Sequence, residues 1–120
     1  MTLVTLVVGG KATDRERAIA AAAGAGLSNT AIVEGLPTGE AALEQLTTGF
    51  DLDVFRIAAG CPCCSGNLTI RVTLNRALKR RPNRLFLSLS NSAHKEKVRH
   101  FLQEPPYLAL LELSTDINCD

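Results

Sequence analysis

Residues 3–8, Leu-Val-Thr-Leu-Val-Val, form an apolar run with no polar face. A strand at a sheet surface alternates apolar and polar side chains. A continuous run rich in β-branched residues instead predicts a strand covered on both sides. Such a sheet needs a layer above and a layer below, and helices that connect parallel strands supply both.

The remaining segments alternate in kind. Thr13-Asp14-Arg15-Glu16 has the spelling of a capping box, and the alanine-rich residues 18–23 stop at Gly24 and Gly26, which predicts a helix with a start and a stop signal. Residues 30–33 read as a second strand, Thr38 can cap a short helix carrying Ala42, Leu43 and Leu46, and Leu52, Val54, Phe55 and Ile57 predict a third strand. Leu68, Ile70, Val72 and Leu74 recur at strand period, while Ile70, Leu74, Ala77 and Leu78 fit helical spacing up to Pro82. A strand here would follow the third strand with no crossover, which favours the helix. Residues 85–89 predict a fourth strand, and Ser92 can cap a helix with Val98, Phe101 and Leu102 on one face. Pro105-Pro106 ends that helix, and residues 107–113 predict a fifth strand. The expectation is one α/β domain over residues 1–120, an open, mostly parallel sheet of about five strands with helices on both faces.

Composition narrows the class. The chain is 46% hydrophobic and 21% charged, a globular balance that argues against disorder. No apolar run approaches the roughly 18 residues that span a bilayer. The first residues lack a basic flank and a small-residue cleavage site, so no secretory signal is expected. These features predict a cytoplasmic protein with no membrane partner, in a compartment where clustered thiols serve as metal ligands or catalysts rather than structural disulfides. Arg71, Arg76, Lys79, Arg80, Arg81 and Arg84 gather in mid-chain, after Glu34, Glu40, Glu44, Asp51 and Asp53. With no aromatic residues interleaved to stack on bases, this cluster reads as a solvated helix end, and nucleic acid is not an expected partner.

Chemistry concentrates at Gly60-Cys61-Pro62-Cys63-Cys64, because the only other cysteine is Cys119. The thiolate is both metal ligand and nucleophile, and the start of the following helix would favour it through its dipole. Soft thiolates select zinc or Cu(I), and zinc completes four ligands. Beside Cys61, Cys63 and Cys64, the fourth could be Cys119, His94, a water or a cysteine of a second subunit. Gly9-Gly10, the cysteine segment and residues 90–94 each follow a predicted strand, so all fall on the carboxyl edge, where open α/β sheets bind ligands.

A strand, then Gly-Cys-x-Cys-Cys, then a helix, then a strand after an Arg-Pro-x-Arg turn resembles the CobW/HypB/UreG group of P-loop GTPases. Within that group it is most similar to the CobW-type metallochaperones. The matching residues are Gly60, Cys61, Cys63, Cys64, Asn67, Leu68, Ala77, Leu78, Arg81, Pro82 and Leu85, and the order of elements extends the likeness over most of the chain. The resemblance implies a P-loop NTPase-like fold. It also implies a transition metal, commonly zinc, on Cys61, Cys63 and Cys64, with GTP hydrolysis gating its delivery to a protein client.

The nucleotide machinery departs from that pattern. A phosphate loop spells G-x-x-x-x-G-K-[ST], with glycines that let backbone N–H groups wrap the phosphates and a hydroxyl that holds magnesium. Val8-Gly9-Gly10-Lys11-Ala12-Thr13 keeps a Gly-Lys pair, but the loop is too short, Thr5 stands in place of the first glycine and Ala12 in place of the hydroxyl. Ser88-Leu89-Ser90-Asn91 lacks the acidic residue that the family carries after this strand, and no Asn-Lys-x-Asp motif occurs. The expectation is a reduced relative without GTPase activity, in which Gly9, Gly10 and Lys11 are a vestigial phosphate loop and GTP is not a cofactor.

Other readings of the thiols stay open. Cys61 and Cys64 form a C-x-x-C at a strand-to-helix junction, the position used by thiol–disulfide oxidoreductases and redox sensors. The cysteines can also be small buried hydrophobes. A non-catalytic interaction module is a third possibility, with an exposed sheet edge covered by a protein client or a second copy. His94 and His100 read as surface residues of a charged helix.

Overall fold

In the computed structural model, which describes residues 2–23, 27–34, 51–57, 68–89 and 95–119, the opening apolar run is a strand flanked by others on both sides. The elements are β1 (Thr2–Val8), α1 (Ala12–Ala22), β2 (Asn29–Glu34), β3 (Leu52–Ile57), α2 (Leu68–Leu78), β4 (Arg84–Leu89), α3 (Lys95–Leu102), a 3-10 turn (Tyr107–Ala109), β5 (Leu111–Leu113) and β6 (Ile117–Asn118). The sheet has six strands in the order β3-β2-β4-β1-β5, with β6 beside the far half of β1, and every pairing is parallel. The predicted α/β class and mainly parallel sheet are therefore what the chain adopts.

Strand alternation sorts the core into two layers. Val7, Ala31, Val33 and Phe86 face α1 and pack with Ile19 and Ala23. Val4, Leu6, Val8, Ile32, Leu85, Leu87 and Leu89 face the other way, against Leu74 and Ala77 of α2 and Val98, Phe101 and Leu102 of α3. Helices thus cover both faces, which is why β1 and β4 have no polar side to spare. Residues 68–78 are helical because β3 and β4 run parallel in one sheet, and a parallel return needs a crossover.

Several local expectations are corrected. Helix α1 starts at Ala12 with Lys11 as its cap, not at Thr13, and the Lys11 N–H donates to Asp14 Oδ2 at 2.9 Å. Glu16, expected to close a capping box with Thr13, is buried and paired with Arg56 of β3. The stronger demand of a buried charge outcompetes the local cap. The fifth strand covers only Leu111–Leu113, because Tyr107–Ala109 coils into a turn. There Tyr107 packs its ring 5.1 Å from that of Phe101 and donates its hydroxyl to Asn75 Oδ1 at 2.8 Å. Strand β6 has no signal in the sequence, since Ile117 stands between Asp116 and Asn118. The predicted helix at Thr38, the stop at Gly24 and Gly26 and the cap at Ser92 lie outside the described residues.

Burial pushes the Tyr107 phenol above its ordinary range, with the Arg71 charge pulling partly the other way. A raised folded value means that this contribution is complete below the unfolded phenol value, about pH 10, and is lost as pH rises through the folded one. Tyr107→Phe is expected to cost about 1 kcal/mol at neutral pH through the lost hydrogen bond. It should also flatten the alkaline fall in urea stability; an alkaline limb as steep as the wild type's counts against the buried phenol as its source.

Arg81 takes φ +48° just past α2, where helices usually place glycine. The left-handed backbone costs a side chain about 1–2 kcal/mol, and glycine's extra chain entropy gives back roughly 0.5–1. Arg81→Gly is therefore expected to raise the thermal midpoint by about 2 °C, read by calorimetry.

Candidate functional site at the carboxyl edge of the sheet

All strands point one way, so Val8, Ile57, Leu89 and Asn118 end β1, β3, β4 and β6 on one edge. The chain leaves β1 through Gly9 and Gly10, whose φ values of +81° and +61° lie in the left-handed region open to glycine. Space matters as much at Gly10. A Cβ there would sit 2.8 Å from the Cys119 carbonyl oxygen and 3.2 Å from Asp14 Oδ2. Cys119 is held in this place by its own N–H, which donates to the Val8 carbonyl at 2.8 Å.

Beneath the loop lies Arg15, only 3% exposed. Its Nη1 donates to the carbonyls of Gly9 and Gly10, each at 2.9 Å, and its Nε donates to Ser88 Oγ at 2.8 Å. One guanidinium thus ties the end of β1, the start of α1 and the end of β4. Gly9 adds a backbone bond to the Leu89 carbonyl at 3.3 Å.

The polarity of this loop is informative. A phosphate loop turns its N–H groups toward an anion at the helix start. Here the Lys11 amide is directed at the Asp14 carboxylate, and the loop carbonyls converge on a buried cation. Gly9, Gly10 and Lys11 do lie at the carboxyl end of β1 and the start of α1 as predicted, with Lys11 exposed.

A second buried polar pair lies on the same face. Glu16 Oε1 of α1 meets Arg56 Nη2 of β3 at 2.7 Å, with side chains 2% and 14% exposed. Arg56 immediately precedes Ile57, the last residue of β3. At the other side of the edge, Asp116 pairs with Arg99 and lies 3.5 Å from Lys95 Nζ, joining the final segment to α3.

Cys61, Cys63 and Cys64, with Gly60, Pro62 and His94, lie outside the described residues. Among the described residues no group of three or more His, Cys, Asp or Glu side chains is arranged to hold a metal ion. None of their helices is long and apolar enough to cross a membrane. His100 is exposed on α3, 3.0 Å from Glu104. The mid-chain cations divide among separate contacts: Arg71 over Phe101, Arg76 over Phe55, Arg84 over Phe86, and Arg80 on Asp53, which raises the Arg80 value through its hydrogen bond and charge.

Sequence reasoning missed Arg15, Glu16, Arg56 and Ser88. The signal was available for Arg56, a charge inside the apolar segment Val54-Phe55-Arg56-Ile57. It was absent for Arg15 and Glu16, which look like ordinary first-turn residues of a polar helix. Comparison with protein-family models, with curated proteins and with solved structures returned no match.

Proposed function

We propose that this chain is a CobW-like protein that does not hydrolyse GTP. In this reading the thiolates of Cys61, Cys63 and Cys64 bind zinc or a similar soft metal, for metal handling or for regulation through a protein partner. The observation that carries the reading is the occupied start of α1. Asp14 presents a carboxylate to the Lys11 amide, and the Cys119 carbonyl lies against Gly10. A phosphate would meet negative charge and carbonyl oxygen in the place where a GTPase supplies N–H groups and magnesium.

The metal half rests on donor chemistry and position in the chain. The three thiols stand between the carboxyl end of β3 at Ile57 and the start of α2 at Leu68. Thiolates prefer zinc or Cu(I) to the hard cations that accompany nucleotides. Cys119, whose backbone joins the same edge, is a candidate for a further sulfur. A reducing cytoplasm would keep these thiols available.

Full-length protein purified under reducing conditions is expected to carry about one equivalent of zinc, and Cys63→Ser to lose it. Metal-free wild-type protein at neutral pH, even after incubation with zinc, would overturn the metal assignment. Titration with a non-hydrolysable GTP analogue and magnesium is expected to give no saturable response in the low-micromolar range; a clear one would overturn the view of the β1–α1 loop.

A further inference from the structure

At the amino edge of the sheet, opposite the carboxyl end of β3, a cleft of about 440 Å³ opens between the end of α2, the turn before β4 and the 3-10 turn before β5. That volume lies within the roughly 300–1,000 Å³ typical of small-ligand sites. Leu78, Ala109 and Leu110 supply apolar lining, and Thr2, Arg81 and Asn83 supply the side-chain polar groups. The Thr2 hydroxyl is already spent on the Pro82 carbonyl at 2.7 Å. Asn83 Oδ1 accepts from the Ser28 N–H and hydroxyl, both at 3.0 Å, which leaves its amide hydrogens as the available group.

Among the described residues, Arg81 is the one cation on this lining. Its neighbour Arg80 is paired with Asp53, but the Arg81 side chain has no ion pair or hydrogen bond among the described residues. No carboxylate lines the cleft among them either. The backbone under Arg81 is left-handed, at φ +48°, where glycine is the usual residue. A strained arginine kept at such a position, unpaired and lining an open cleft, is the kind of outlier from which a binding role is inferred. Leu110 on the lining is 49% exposed, apolar surface that a ligand body would cover.

We propose that this cleft binds a small amphipathic carboxylate, its head held by the Arg81 guanidinium and the Asn83 amide and its short apolar body lying against Leu78, Ala109 and Leu110. The guanidinium fork matches a carboxylate in a bidentate manner. A single cation and a neutral amide suit one negative charge. A phosphate dianion would ask for more cations or a nest of N–H groups. An amine would meet the like charge of Arg81.

Hexanoate is the probe, titrated into the full-length protein and followed by amide chemical shifts. Saturable binding is expected, with a Kd on the order of 1 mM or tighter. Arg81→Gly should weaken it about tenfold or more while the thermal midpoint stays level or rises, so that the loss is not unfolding. If that variant is less stable than wild type, Arg81→Gln keeps the same backbone strain without the charge and is expected to show the same weakening. Hexylamine should not saturate the site. No saturation by hexanoate, undiminished affinity in the charge-free variants, or equal binding of hexylamine would each overturn the proposal.

Discussion

Arg56→Met is expected to lower the free energy of unfolding by about 3–5 kcal/mol, the cost of removing the cation 2.7 Å from a buried carboxylate. Glu16 is almost fully buried, and Arg56 Nη2 stands 2.7 Å from its Oε1. A surface pair would be worth about 0–1 kcal/mol, so the size of the effect reports the burial directly. Replacing both partners, Glu16→Leu with Arg56→Met, is expected to recover most of the loss, because it removes two desolvated charges and substitutes apolar contacts of similar volume. Urea unfolding of the two single variants and the double variant completes the cycle, with a coupling of about 2 kcal/mol or more expected. A midpoint for Arg56→Met within error of wild type would mean that the pair does not fasten α1 to β3.

Arg15→Met is expected to cost about 4–5 kcal/mol or more, since its three hydrogen bonds come from a charged group, contribute roughly 1.5–3 each, and are removed together. The acceptors are the Gly9 and Gly10 carbonyls and Ser88 Oγ. Methionine keeps much of the stem volume, so the loss isolates the guanidinium. Ser88→Ala removes one acceptor and should cost only about 1 kcal/mol. Hydrogen exchange adds a local readout. The Gly9 and Cys119 amides, bonded to Leu89 and Val8, should lose protection in Arg15→Met well beyond what global destabilisation accounts for. Unchanged protection there would show that the β1–α1 loop holds its shape without Arg15.

The two arginines explain why so much of the edge was invisible in one dimension. Arg15 follows Asp14 and precedes Glu16 in a stretch of charged residues that reads as a solvated first turn. It is buried because the β1–α1 connection is so short that the first turn of α1 lies under the carboxyl ends of β1 and β4. Glu16 is buried because β3, brought next to β2 by the strand order, carries Arg56 to the same face. Neither placement follows from local spacing. Tyr107 is a similar case. Its segment has strand composition, yet its ring turns in to Phe101 and its hydroxyl to Asn75, and the backbone coils to permit both.

What the amino-acid order determined by itself was the class of architecture. Apolar runs with no polar face demand burial on both sides, and helical periodicity between them provides the cover; these are local patterns of hydrophobicity, and burial of apolar area is the dominant favourable term in folding. What only the tertiary structure decided was which charges are inside, which turn replaces a strand, and that the β1–α1 loop closes on its own guanidinium and carboxylate. Those outcomes depend on strand order and on distances between segments far apart in the chain, such as Arg15 with Ser88 and Gly10 with Cys119. A buried polar group is tolerated only where partners converge on it, and convergence is a property of three dimensions.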